Sequence, residues 1–174
     1  PEYADIGMML SEWLDLASRV HYRNEDALTM AFEDGRFDAG WTQHATMNIA
    51  DKERLYTQLQ RVLRRGGRLA MHEIVAGQGE VRYPAPWADS ASHSFLLPAA
   101  ELRSVIARHG FRELAWEDAT APARDALRAA PPLSLAGMPA LGIHLLVPAD
   151  ALRNMARNLD EGRVQVVRAA FERR

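Results

Sequence analysis

The stretch that most constrains this chain is residues 32–48, FEDGRFDAGWTQHATMN. It opens with a charged turn, Glu33-Asp34-Gly35-Arg36, whose glycine suits a backbone reversal. A short, mostly apolar run at 37–41 follows and reads as a buried strand. The strand delivers Thr42, Gln43, His44, Thr46 and Asn48, a cluster of uncharged polar groups and one imidazole. In an open α/β sheet, ligands bind outside the carboxyl ends of the strands, where loops converge on one crevice. The cluster is therefore a site candidate. A plain polar loop between two elements is the other reading.

The neighbouring segments place this strand in a larger order. Residues 19–24 alternate Val20 and Tyr22 with polar neighbours, as a strand would, and Asp26 closes them. Asp51 is a plausible cap for a helix whose buried stripe is Leu55, Leu59, Val62 and Leu63. Gly66-Gly67 ends that helix behind Arg61, Arg64 and Arg65, and residues 68–75 form the next strand. His72 and Glu73 near its end reach the rim that carries His44. Adjacent strand residues face opposite ways, so at most one of them serves the site, and a structural role is the reading taken for the pair.

Strand, acidic turn, strand, helix, Gly-Gly, strand resembles the middle of the class I S-adenosylmethionine-dependent methyltransferases. The likeness is to the methyltransferase type 11 kind, in the branch acting on small amines (the sarcosine and dimethylglycine kind), quinones and similar metabolites. It is carried by NEDALTMAFEDGRFDAGWTQHATMNI, LQRVLRRGGRLAMHEIV and PAAELRSVIARHGF. Glu25 stands where the family writes glycine, and Ala31 where it writes proline. The resemblance implies an α/β fold: a Rossmann-like class I methyltransferase sheet with helices on both faces and an antiparallel last strand. The family's first strands, its glycine-rich cofactor turn and the acid that binds the ribose would precede Pro1. Residues 1–174 thus read as the carboxyl two-thirds of one methyltransferase domain. Gly77-Gln-Gly79 is no substitute for the missing turn, because Tyr83-Pro-Ala-Pro86 soon after cannot open a helix toward an anion.

Length and composition agree with a single soluble domain: 174 residues, 48% apolar and 25% charged. A formal net charge of −2 leaves no basic footprint for nucleic acid. No apolar run approaches the ~20 residues of a membrane span. Without cysteine, disulfides and thiolate metal sites are excluded. No metal is expected, and cytoplasmic is the default location.

In order, residues 1–16 read as a helix with Pro1 at its first position and Ile6, Leu10, Trp13 and Leu14 on one apolar stripe. Residues 77–97 read as a lid-like loop, ordered by its prolines and aromatics. Residues 98–109 form an amphipathic helix stopped by Gly110, and 111–118 a strand. A helical substrate-cover insert is expected at about 121–160, with helices at 123–130 and 150–159 and a helical reading for 141–146. The last strand lies at 164–171.

The resemblance assigns site residues as follows. Asp26 and Ala27 take the adenine amine and a ring nitrogen, with Leu28, Trp41 and Thr42 completing the cofactor contacts. His44, Met47, Asn48, Tyr83, Trp87 and His144 face the methyl acceptor. Tyr83 and Trp87 would suit a cationic or flat substrate, while a tryptophan pinning the loop to the core is the alternative. Methyl transfer from a sulfonium is an in-line displacement, so alignment and exclusion of water are the main demands. His44 is the general-base candidate for an acceptor that carries a proton, and a structural or positioning role for it stays open. The expected partner is a small-molecule methyl acceptor, with a homo-oligomer or an added amino-terminal segment completing the site. Two other classes remain: a non-catalytic interaction module on this scaffold, and a different α/β enzyme. The second lacks both the Gly-x-Ser-x-Gly elbow and a dinucleotide fingerprint.

Overall fold

The computed structural model describes residues 2–129 and 147–174. They fall in two compact units, Pro1–Phe32 and Glu33–Arg174.

The first unit is one helix and an irregular tail. Helix α1 spans Glu2–Trp13, and Asp15 leaves it with a φ of 59°. Gly7 is buried because the Tyr22 ring lies on it; a Cβ there would meet the ring at 2.7 Å. The expected apolar stripe exists but is exposed, with Trp13 71% and Leu14 66% accessible. So small a unit has too little chain to cover its own apolar face. The strand expected at 20–25 does not form: these residues belong to no sheet. A strand needs a neighbour to take its amides and carbonyls, and alternation of side chains cannot supply one.

The second unit carries a four-stranded sheet. Its strands are β1 (Phe37–Gln43), β2 (Leu63–Ala76), β3 (Phe111–Asp118) and β4 (Val164–Arg173), in the order β1-β2-β4-β3. β1 and β2 are parallel, and β4 is antiparallel to both β2 and β3. The antiparallel last strand is as expected. Helices α2 (Lys52–Val62) and α3 (Ala99–Arg108) pack over β2 on one face, while α4 (Thr120–Ala129) and α5 (Ala149–Asp160) pack on β4. Asp51 caps α2, its carboxylate accepting from the Arg54 amide at 2.8 Å.

Two expectations are corrected here. Gly66-Gly67 does not end α2, which stops at Val62; β2 already begins at Leu63. The glycine pair instead makes an irregularity inside β2, where pairing jumps from Phe37 with Leu63 to Ala39 with Arg68. Gly66 has a φ of 73°, and a Cβ on Gly67 would sit 2.7 Å from the Arg64 carbonyl oxygen. The second correction concerns β1. It is a strand but not a buried one, and Trp41 is 71% exposed. Among the described residues β1 lies at the sheet edge, paired with β2 alone.

The core closes on β2 and β4. Leu69, Val75, Val164, Val166 and Phe171 are almost wholly buried. The helical reading for 141–146, and His144 within it, lie outside the described residues.

Candidate active site at the carboxyl ends of the parallel strands

Because β1 and β2 run parallel, their carboxyl ends open on the same side of the sheet. His44 follows β1 directly, and its amide donates to the His72 carbonyl at 2.9 Å. Its φ of 48° turns the chain sharply out of the strand, a backbone region that non-glycine residues rarely occupy. The exposed imidazole lies 4.6 Å from the His72 ring at a 53° tilt. Partial desolvation of this still accessible ring first, then the neighbouring His72, hold His44 below the usual histidine range. It is therefore neutral at pH 7 and able to accept a proton.

Under His44 the chain makes a tight turn, with Thr46–Asn48 as a single 3-10 turn. Two buried ionisable side chains hold it. Glu73 of β2 is 0% exposed, and its Oε2 accepts from the Ala45 and Thr46 amides at 3.2 and 3.3 Å. Lys52 of α2 is also buried, and its Nζ donates to the carbonyls of Thr46, at 2.7 Å, and Ile49. Around them Glu73 Oε1, Thr42 Oγ1 and the Tyr56 hydroxyl are buried close together, with no well-aligned hydrogen bond among the described residues.

These environments shift the ionisations in opposite senses. Burial pushes the Glu73 carboxyl up, more than the nearby Thr42 and Thr46 hydroxyls and the two amides pull it down. Burial lowers Lys52 to about 8, although the Glu73 charge works the other way. The Tyr56 phenol is pushed up by burial and then by Glu73.

The far side of the turn is tied to residues 77–97. Asn48 Nδ2 donates to the Trp87 and His93 carbonyls at 2.5 and 3.4 Å, and the Phe95 amide to the Met47 carbonyl at 2.8 Å. The Trp87 indole donates to Ser94 Oγ at 2.9 Å, and its ring packs on the core cluster of Met47, Ile74 and Leu159. The segment is pinned to α5 as well. The Arg82 amide donates to Oδ1 of the buried Asn158 and its carbonyl accepts from Asn158 Nδ2, at 2.9 and 3.0 Å, and the Pro84 carbonyl accepts from Asn154 at 2.9 Å.

Of the residues singled out in the sequence, the turn brings Thr42, His44, Met47, Asn48 and Trp87 together. Met47 is 1% exposed and sits in the core rather than on the rim. Tyr83 is half-buried. Trp41 pairs with Ala70 and so lies on the opposite sheet face from Thr42, which pairs with Met71. Asp26 lies in the amino-terminal unit, where its carboxylate accepts from the Leu28 amide at 2.9 Å and so also closes its own turn.

The sequence reads Glu73 as structural and does not single out Lys52 or Tyr56, yet signals for all three are present. Glu73 falls on the inward parity of β2 with Leu69, Met71 and Val75. Lys52 and Tyr56 precede Leu59 at the spacing of one helix face.

Comparison with known proteins bears on the fold. Residues 7–71 match the family described as Methyltransferase domain. Tocopherol O-methyltransferase of Arabidopsis thaliana is 27% identical over 123 residues, 62% of this chain and 34% of that protein. Phosphoethanolamine N-methyltransferase 2 of Caenorhabditis elegans is 28% identical over 103 residues, 59% of this chain and 24% of its own length. The chain thus spans about a third or less of these curated relatives.

Among solved structures, geranyl diphosphate C-methyltransferase from Streptomyces coelicolor, in complex with Mg2+, geranyl diphosphate and S-adenosyl-L-homocysteine, superposes with a TM-score of 0.75. It is 18% identical, and the match covers 98% of this chain and 60% of that one. The cyclase SpnF superposes at 0.67 with 21% identity, covering 98% of this chain and 62% of that one. By sheet order, strand direction and superposition, the chain carries the class I methyltransferase fold, with the sequence signature of the methyltransferase domain family over residues 7–71.

Proposed function

We propose that this chain serves cytoplasmic S-adenosylmethionine-dependent methyl transfer to a small-molecule acceptor, supplying adenine-side and acceptor-side residues. The observation that supports it most is a neutral imidazole, His44, presented on a tight turn at the carboxyl ends of two parallel strands of this fold. When bound, the cofactor supplies an electrophilic methyl on a sulfonium, open to in-line displacement.

The donor set here fits part of that group. Within the first unit, Asp26 with the Ala27 amide suits an adenine edge, beside the apolar Leu28. Within the second, Trp41 presents an exposed aromatic face. The buried Thr42 hydroxyl, close to Glu73, is a further polar atom near the crevice. His44 takes the proton of a protonated acceptor or orients one that has none. Asn48, Tyr83, Trp87 and His144 are proposed to line the acceptor's side. Trp87, held against the core, does so as a fixed wall rather than a moving one.

The test is transfer of labelled methyl to a panel of small amines, phenols and carboxylates. It is run with the chain alone and with a glycine-rich amino-terminal segment supplied in cis or as a partner chain. No turnover by the chain alone and clear turnover when complemented is the expected result. Robust turnover by the chain alone would mean that residues other than these hold the cofactor. A second reading, a module on this scaffold that transfers no methyl group, is favoured by the superposition on SpnF, which is a cyclase. Absence of turnover in every arm, with ligand binding retained, would establish it.

A further inference from the structure

The turn at residues 45–49 is gripped from two directions by groups that cost free energy to bury. Glu73 takes its amides, and Lys52 takes its carbonyls. Thr46 and Met47 in this turn are buried, so its amides and carbonyls need partners from the protein, but uncharged ones would serve. Burying a carboxylate and an ammonium is expensive, and a buried ionic pair is weak evidence for stability. What the arrangement secures is geometry. The chain leaves β1 through His44 in a strained backbone region and must then fold under it, with Asn48 aimed at residues 87 and 93.

We infer that Glu73 and Lys52 are the positioning pair of this site, setting where His44 and Asn48 stand against a bound methyl acceptor. The inference rests on the acceptor-side role proposed above for His44. Glu73 acts from β2 and Lys52 from α2, so the turn is referenced to the sheet and to its covering helix at once. The other groups facing the pair are Tyr56 on α2, Thr42 on β1 and Thr46 in the turn. His44 and His72 lie at the rim, and Asp51 and Glu53 flank Lys52 in the chain, both exposed. None of these supplies a second cation to the two carbonyls.

Three variants test the pair: Lys52→Met, Lys52→Arg and Glu73→Gln. Hydrogen exchange at the Ala45 and Thr46 amides is measured by NMR relative to Leu69 in β2, so that global opening cancels. The His44 titration is followed in the same samples. Lys52→Met and Glu73→Gln are expected to speed relative exchange about tenfold, the ratio produced by losing one hydrogen bond of ordinary strength. Both also move the His44 titration toward the usual histidine range. Lys52→Arg keeps the charge and the protection. In the parent, relative protection falls as pH rises past about 8, where Lys52 gives up its proton; in Lys52→Arg that fall moves to higher pH.

In the complemented enzyme, Lys52→Met raises the acceptor KM or lowers kcat about tenfold to a hundredfold, with cofactor affinity unchanged. Parent-like exchange and an unmoved His44 titration in both Lys52→Met and Glu73→Gln would overturn the pair. Loss of protection in Lys52→Arg equal to that in Lys52→Met would overturn it too, by showing that bulk rather than charge holds the turn. If the turn responds as expected but the parent transfers no methyl group, the acceptor role falls.

Discussion

Strands β1 and β2 are parallel neighbours, and they treat their residues in opposite ways. Among the described residues β1 has one neighbour, and it leaves a tryptophan, Trp41, 71% exposed. β2 lies between β1 and β4 and buries a carboxylate, Glu73, to 0%. By hydropathy the assignments should be reversed. Position in the sheet overrides residue type, because a central strand is covered on both faces and along both edges. The consequence is a rim with two layers: an accessible imidazole on the β1 side, and a buried acid and base beneath it on the β2 and α2 side.

Four measurements can break or sharpen this contrast. The largest effect is expected at the centre of β2. Leu69→Ala removes a wholly buried side chain and should cost about 2–5 kcal/mol in denaturant unfolding. A loss no greater than that of an edge substitution would mean that β2 is not where the core closes.

Next comes His44→Ala. In the complemented enzyme with a protonated acceptor, methyl transfer should fall about a hundredfold. The parent's acid limb should lie below the usual histidine range, because the neutral ring is the active form and His44 is held low. A variant with parental kcat and KM would leave His44 a structural residue.

The third measurement concerns pH and stability. Glu73 is raised in the folded state, so the folded chain binds the extra proton between the ordinary carboxylate range and the raised value. Its contribution is therefore most favourable at acid pH and is lost as pH rises through that window. Lys52 is lowered to about 8, so its burial cost persists below that pH and lifts between about 8 and its ordinary 10.5. Stability of Glu73→Gln relative to the parent should accordingly rise from acid to neutral pH. A flat difference would show that the carboxyl is not desolvated as its burial implies.

The smallest effect is expected at the edge. Trp41→Ala should change stability by no more than about 0.5 kcal/mol, as for exposed positions away from special features. Any larger effect of this variant should appear in cofactor affinity instead, which isothermal titration of the complemented enzyme reads directly.

The element order of Glu33–Arg174 was largely legible because its signals are local. Asp51 does cap α2, and Gly110 does follow α3. The strand at Phe111–Asp118 and the antiparallel β4 stand where alternation put them. The misreadings share one cause. Residues 20–25, the Gly66-Gly67 kink and the exposure of β1 all depend on which backbone lies alongside, and no periodicity within a strand encodes its neighbour.

The site divided along the same line. Residue identity alone marked the rim, since His44, Asn48 and their polar neighbours follow an apolar run, and a carboxyl end of that kind attracts ligands wherever the strand is placed. Sequence likewise determined that no thiolate chemistry is available to this chain. Only the tertiary structure decided that Glu73 and Lys52, residues 21 positions apart in number, close on the same turn from a strand and a helix. Burial and ionisation are properties of surroundings, and those surroundings are assembled from α2, β1 and β2, so no single stretch of the chain contains them.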